Sequence, residues 1–581
     1  MIYEGIRHKC GYNDCYCLND NELRINLHAN RSVSNAVLMC EDPYIGGISE
    51  AWAWDGKPVA MSVSLELSHE IIFSATVRPV YKRLQYYFRI TFDDGTEKCL
   101  LEDGLHDPSF VNRRDLARNF YKFGWMNESD IIKPPRWAAD TVWYQIFPDR
   151  FSRESDGRDD KFEDWDNISV RNHKCRYGGN IKGVLKRLPY LASLGITGIY
   201  FTPIFLSQTS HRYDTTDYEL VDPDFGTNEE FAALVRKAHD LGIRIMIDAV
   251  FNHSGKDFFA WQDVVRNGKS SPYFNWYYIR SADFTKQGNT MDGRYYSFAF
   301  VSEMPKLNTN NPEVRNYLTA VCRKWLREFN IDGIRFDVGN EISHSFIRHL
   351  STELKREKPD LFLLGEIWTD ASPYLEGGEY DSVMNYPFLH AVGNFFRDST
   401  LTADDFRHMV SYCYSLYREQ VNEVLFNLLD SHDVSRLMSR AGSCDTFMQQ
   451  LVILMTMPGT PCIYYGTEIA LEGTGDPDNR RPMPWKDIDS GKFREITAKI
   501  AQLIAIRKEP GFSSSVPLNW ENSAGNRILH YSRGESRRHH VCINAGTDDI
   551  ALPLEGDVLF SHGYEKGILK KGGAVILRTR Q

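Results

Sequence analysis

The run Gly333-Ile334-Arg335-Phe336-Asp337-Val338-Gly339-Asn340-Glu341 decides the fold. Gly333–Phe336 is short and mostly apolar, which reads as a buried strand. It lies between Pro312–Phe329 and Ser343–Glu357, two amphipathic stretches with apolar residues at helical spacing. A helix, a short apolar strand and another helix in succession mark a parallel sheet. The strand ends in charged groups, where a buried strand meets solvent.

Outward from this run the unit repeats. The candidate strands are Val142–Phe147, Thr197–Phe201, Arg244–Ile247, Gly333–Phe336, Phe362–Leu364, Ser382–Met384, Val424–Leu428 and Pro461–Tyr464. Helical stretches such as Ile181–Leu194 and Asn228–Leu241 separate them. Eight such units predict an α/β fold, a closed (β/α)8 TIM barrel over residues 126–508. Asp248 and Asp337, at the ends of strands three and four, stand 89 positions apart. A βα unit takes about 30–40. The excess, residues 254–308, is expected as a small inserted domain on the barrel's C-terminal rim.

The flanks change period. Residues 1–125 hold short, partly alternating runs at Glu22–Ala29, Ala36–Cys40, Val59–Leu65, Glu70–Val77 and Gln85–Phe92. Asp94-Gly95 marks a hairpin between Tyr86–Phe92 and Lys98–Leu101. An N-terminal β-sandwich is expected, then a helical stretch at Leu116–Phe123 and a linker at Lys133-Pro134-Pro135. Residues 509–581, with Ile528–Tyr531, Val541–Asn544 and Ala574–Leu577, predict a C-terminal β-sandwich.

Composition narrows the class. The chain has 581 residues, 42% of them hydrophobic, which excludes general disorder. A formal net charge of −10 speaks against a nucleic-acid binder. The best apolar run, Leu451–Tyr465, falls short of the ~18 residues a bilayer requires. The start, Met1-Ile-Tyr-Glu-Gly, lacks the form of a signal peptide, so a cytoplasmic protein is expected. Its 11 cysteines form no Cys-x-x-Cys pair and read as free thiols, including Cys10, Cys15 and Cys17 near His8.

In a barrel of this kind chemistry sits at the C-terminal ends of the strands. Strand three ends in Asp248-Ala-Val-Phe-Asn252-His253, strand four carries Arg335 and Asp337, strand five ends in Glu366-Ile-Trp368, and strand seven in Asp430-Ser-His432-Asp433. Arg335 and Asp337 are two apart, so they share a face. A lone strand-end Asp is more often a cap than a catalyst. Four such ends converging suit cleavage of a glycosidic bond, by a nucleophilic carboxylate and a second carboxyl that protonates the leaving oxygen. A guanidinium beside the nucleophile would keep it ionised.

These residues resemble the α-amylase family, glycoside hydrolase family 13. Asp248–His253, Gly333–Glu341, Gly365–Trp368 and Ser431–Asp433 are similar to four of its conserved regions, and Gly198–Pro203 and Gly459–Glu468 to two more. The resemblance implies Asp337 as nucleophile, Glu366 as general acid/base and Asp433 as transition-state stabiliser. Arg335, His253 and His432 would hold the sugar at the cleavage subsite beside Asp248, with Tyr213 as its aromatic platform. The implied outcome is retention, with carboxylates about 5–5.5 Å apart.

Met304-Pro-Lys-Leu-Asn308 and the N-terminal β domain resemble the cyclomaltodextrinase, neopullulanase and maltogenic amylase group. That implies α-1,4 and some α-1,6 cleavage in cyclodextrins, pullulan, maltooligosaccharides and starch, with transglycosylation. It also implies a homodimer formed through the N-terminal domain, and no membrane or nucleic-acid partner. Glu341 and Trp368 match acceptor-side positions, and Asp476 and Arg480 donor-side contacts. Thr369 departs from the histidine of close relatives. No cofactor is implied. A calcium site is degraded here, though Asp156, Asp159, Asp160 and Asn180 offer oxygens. The alternatives are a plain α-amylase or oligo-1,6-glucosidase-like enzyme, a non-catalytic barrel scaffold, and an N-terminal domain that serves as a starch-binding module.

Overall fold

The computed structural model describes residues 5–45, 54–113, 115–116, 118–155, 157, 159–167, 172, 175–286, 288–521 and 526–580. The chain divides into two compact units, residues 1–133 with 404–422, and residues 134–403 with 423–581.

The second unit is built on eight strands: Trp143–Ile146, Gly198–Phe201, Arg244–Ala249, Gly333–Phe336, Phe362–Gly365, Ser382–Val383, Phe426–Leu428 and Thr460–Tyr464. All run parallel, and the first pairs with both the second and the eighth. The last seam, between strands six and seven, is closed by a parallel bridge from Met384 to Phe426. The barrel is therefore closed, as expected, with each strand within two residues of its expected bounds. Trp143, Tyr200, Met246, Phe362, Leu364, Phe426 and Cys462 fill its interior as one buried cluster. Strands buried on both faces explain the short, nearly continuous apolar runs.

The helices that space the strands are capped locally. Asn180 accepts from Gly183 N at the start of Ile181–Leu194. Thr227 and Glu230 form a reciprocal capping box at the start of Asn228–Asp240. Asn311 caps Pro312–Phe329, which ends on the left-handed Asn330. Between strands three and four lie the helix Phe259–Asn267 and several single turns, matching the inserted rim segment. After the barrel comes a six-stranded antiparallel sheet. Three of its strands, Leu518–Trp520, Ile550–Ala551 and Gly556–Glu565, were not expected; the last is the longest of them. Gly556, Asp557, Ser561, His562 and Gly563 interrupt any apolar alternation, and the strand is held by pairing with Ile568–Thr579.

The first unit is a sandwich of a four-stranded and a six-stranded sheet around a shared apolar core. Two expectations are corrected here. Val59–Leu65 is not one strand: Lys57–Ala60 belongs to one sheet and Ser62–Glu66 to the other, with buried Met61 at the crossing. Both halves alternate alike, so the pattern hides the switch. The described residues of the stretch Leu116–Phe123 hold no helix; Tyr121–Phe123 is a strand on Leu84–Phe92, where the Tyr121 ring stacks on Tyr86 at 5.4 Å. Residues 404–422 lie against the outer, polar face of the four-stranded sheet, where Gln420 Nε2 donates to the carbonyls of Cys17 (2.8 Å) and Leu18 (3.0 Å). Among the described residues no helix is long and apolar enough to cross a membrane.

Candidate active site

Strand register builds the centre of the site. Strands three and four pair with Asp248 directly opposite Arg335. Arg335 Nη1 donates to Asp248 Oδ1 at 2.9 Å and Oδ2 at 2.8 Å, and to Asp337 Oδ1 at 2.9 Å. Its Nη2 lies 2.9 Å from Glu366 Oε1, at the end of strand five. One fully buried guanidinium thus joins the ends of three strands. Gly365 is needed for this approach, since a Cβ there would meet the Tyr380 ring at 2.6 Å. Val338 is left-handed, at φ 48, a rare and strained state for a β-branched residue. The strain turns its N–H onto Glu366 Oε2 at 2.8 Å.

A second layer of contacts surrounds the carboxylates. Asp248 Oδ2 accepts from Tyr200 (2.7 Å) and Tyr213 (3.0 Å). The Tyr213 hydroxyl also meets His432 Nε2 at 2.5 Å, while Gln145 Nε2 reaches His432 Nδ1 at 2.7 Å. His432 Nε2 lies 3.2 Å from Asp433 Oδ2. Arg480 extends the chain, with Nη2 3.7 Å from Asp433 and Nη1 2.9 Å from Asp476. His253 Nε2 bonds the Tyr213 carbonyl at 3.1 Å, and its ring stacks on Phe298.

Electrostatics follow from crowding. Burial, reinforced by the charges of Glu366, Asp248 and Asp433, pushes the Asp337 carboxyl well above the usual range against the pull of Arg335. Burial and then Glu366 push Asp433 up to about 7. Burial lowers His253 to about 3 and takes His432 well below its ordinary value, so both rings are neutral at neutral pH. The raised carboxyls of Asp248, Asp337 and Asp433 together hold a proton into the neutral range.

The two residues expected on the acceptor side, Trp368 and Glu341, are held separately. Trp368, 40% exposed, donates from Nε1 to Glu366 Oε1 at 3.2 Å and stacks on buried Tyr386 at 3.8 Å. Glu341 does not touch the carboxylate cluster. Lys306 holds it, through Oε2 at 2.9 Å and the carbonyl at 3.2 Å, and also bonds Asn252 Oδ1. The segment Met304–Asn308 is thereby tied to strand three, with an antiparallel bridge from Lys306 to His253. Gln145, Tyr200, Asn252, Val338 and Tyr386 escaped sequence reasoning. Their signal was position, because Gln145, Tyr200 and Tyr386 lie on or just after strands one, two and six.

Of the expected calcium oxygens, those of Asp160 and Asn180 belong to described side chains. Asp156 lies outside the described residues, and the Asp159 side chain is not described. Asp160 is exposed. Asn180 is spent on its helix cap, with Nδ2 donating to the Glu154 carbonyl at 2.8 Å, and Lys186 pairs with Glu154 at 2.6 Å. A cation binds through free oxygens, and the Asn180 side chain is already engaged in the cap. Among the described residues no group of three or more His, Cys, Asp or Glu side chains is placed to hold a metal ion.

Comparison with known proteins agrees with this geometry. Residues 145–504 match the family described as "Alpha amylase, catalytic domain", and residues 1–126 the one described as "Alpha amylase, N-terminal ig-like domain". The chain is 40% identical to a cyclomaltodextrinase of Geobacillus thermopakistaniensis over 88% of its length and 85% of the relative's. It is 38% identical to the intracellular maltogenic amylase of Bacillus subtilis, again over 88% and 85%. A solved cyclomaltodextrinase structure superposes with TM-score 0.86 at 30% identity, covering 99% of this chain and 98% of the other. The chain belongs to the α-amylase family of glycoside hydrolases. Within it, the enzyme is of the cyclomaltodextrinase, neopullulanase and maltogenic amylase type.

Proposed function

We propose that this hydrolase cleaves α-1,4 and some α-1,6 bonds in cyclodextrins, pullulan, maltooligosaccharides and starch, with retention and some transglycosylation. The observation that carries the reading is the single guanidinium of Arg335 holding Asp248, Asp337 and Glu366 at three strand ends. Asp337 attacks the anomeric carbon as the carboxylate, the shared proton lying on another carboxyl of the cluster, and forms a glycosyl-enzyme. Glu366 delivers to the departing oxygen the proton the crowded site retains, then deprotonates the water or sugar hydroxyl that releases the glycosyl group. Asp433 and the neutral His253 and His432 bond the sugar hydroxyls as the ring flattens. Tyr213, fixed by Asp248 and His432, supports the ring's apolar face. Asp476 and Arg480 bind the donor side, and Trp368 and Glu341 the acceptor side.

The protein's own acids and bases suffice, so no cofactor enters the reaction. A cytoplasmic location is supported by the name of the Bacillus subtilis relative. A homodimer through the N-terminal sandwich is the assembly proposed, with α-glucans and no membrane or nucleic acid as partners.

Initial rates on β-cyclodextrin, pullulan and soluble starch, with products separated by chromatography, test the substrate reading. The fastest rate is expected on cyclodextrin, with a trisaccharide from pullulan. Fast starch cleavage with resistant cyclodextrin would instead mark a plain α-amylase.

A further inference from the structure

We propose that the first unit holds a sugar site of its own, a pocket beneath residues 404–422 that takes a single hexose ring. It lies wholly within residues 1–133 and 404–422 and shares no residue with the carboxylate site.

The strand Leu23–Ala29 alternates without a break. Leu23, Ile25 and Leu27 enter the sandwich core, so Arg24, Asn26 and His28 share the outer face. Register sets Ser74 of Ile71–Val77 opposite Asn26. The outer face of an antiparallel sheet commonly lies in water. Here part of it is covered, and His28 is only 8% exposed.

Three contacts fasten the covering segment. Arg24 Nη2 donates to Glu419 Oε2 at 2.6 Å, Asn13 Nδ2 donates to the Leu416 carbonyl, and Glu419 N donates to the Tyr16 hydroxyl at 3.2 Å. Between segment and sheet a pocket of about 210 Å³ remains, with Asn26, His28 and Ser74 from the sheet and Tyr414, Tyr417 and Asn422 from the segment in its wall. Pockets for drug-sized ligands measure roughly 300–1,000 Å³, so this one suits one ring and not a chain of sugars.

The wall suits a neutral ligand rich in hydroxyls. Arg24 and Glu419 neutralise each other. The hydroxyls of Ser64 and Ser74 lie 2.7 Å apart, Ser74 donates to Asn26 Oδ1 at 2.6 Å, and Asn26 Nδ2 donates to the Asn13 carbonyl at 2.7 Å. Two atoms of wall residues, His28 Nδ1 and Asn422 Oδ1, are shut off from water and have no hydrogen-bond partner among the described residues. His28 Nε2 is committed to Asp14 Oδ1 at 3.1 Å, and Glu70 Oε1, 3.4 Å from Nδ1, lacks the alignment of a hydrogen bond. Asn422 spends its Nδ2 on the carbonyls of Tyr414 and Tyr417, at 2.8 and 3.1 Å. Buried polar atoms left unpaired destabilise a fold. A sugar hydroxyl donates and accepts, so it can pair with either. Tyr414 and Tyr417 add aromatic surface for the apolar face of a pyranose. A ligand that touches both layers holds residues 404–422 against the sheet.

Hydrogen exchange of the full chain, read by mass spectrometry with glucose as the probe, tests the site. Opening of the covering segment must first release the sugar, so exchange in Tyr414–Asn422 peptides is expected to slow about tenfold at about ten times Kd. Ser64 is exposed and belongs to the same pocket wall. Ser64→Leu fills the space and should abolish the slowing with the rate on maltotriose unchanged, while Ser64→Ala keeps the space and should retain it. No slowing in that segment, slowing that persists in Ser64→Leu, or equal slowing by the open-chain polyol sorbitol would overturn the proposal.

Discussion

Asp433 shows how the site trades stability for reactivity at the scale of one residue. Its carboxyl is pushed from an ordinary value of 3.8 up to about 7 in the fold. A raised carboxyl disfavours the folded state wherever the unfolded chain is ionised and the folded one is not. The penalty is absent below about pH 4, grows between there and about 7, and is constant above. Asp433→Asn removes it. A rise from 3.8 to about 7 corresponds to ~4 kcal/mol, so the variant is expected to melt several degrees above the parent at pH 8. At pH 4.5 the gap should nearly close. Calorimetry at both values checks this; an equal gap at both would show that the carboxyl is not raised by its surroundings.

At the scale of elements, Lys306 joins the inserted segment to strands three and four. Replacing it by Met leaves Asn252 and Glu341 without a cationic partner. Without Lys306 the Asn252 and Glu341 side chains lose their fixed positions, so a fall of several-fold in kcat/KM on maltotriose is expected. The ratio of transfer to hydrolysis products should also change, because Glu341 lines the proposed acceptor side. Lys306→Arg should recover the rate in part. Product ratios from maltotriose, resolved by chromatography, give the answer, and an unchanged ratio with an unchanged rate would remove Lys306 from the acceptor side.

The same scale explains what was legible beforehand. The eight barrel strands stood out because both their faces are buried, which makes them short apolar runs between amphipathic helices. The charged centre stood out because Asp248, Arg335, Asp337 and Glu366 interrupt or end those runs. Tyr200 and Gln145 did not, since an inward tyrosine or glutamine looks like core until register sets it beside Asp248 or His432. Val338 was invisible because its role is a backbone angle. The sheet switch at Met61 and the strand Gly556–Glu565 depend on pairing partners distant in sequence.

At the scale of the whole molecule, the first unit is not a detachable module. Residues 404–422 fold with residues 1–133, through Gln420 and the 2.6 Å pair of Arg24 with Glu419. Deleting residues 1–133 strips these groups of their partners. The truncated enzyme is expected to melt several degrees lower, and replacing 404–422 by a short Gly-Ser linker in the same truncation should restore the loss. In that restored form cyclodextrin cleavage should fall more than starch cleavage if the sandwich shapes the cleft through dimerisation. Equal losses on the two substrates would leave the sandwich without that role.

The excursion of residues 404–422 also sets a timetable. The chain crosses between units after residues 133, 403 and 422. During synthesis the outer face of the four-stranded sheet stays bare until residue 422 has left the ribosome. At ~5–20 residues per second that wait lasts roughly 15–60 s. Throughout it, a nearly complete sandwich exposes Arg24, Asn26, His28 and Ser74, a polar surface that water can cover, where an apolar one would recruit chaperones or aggregate.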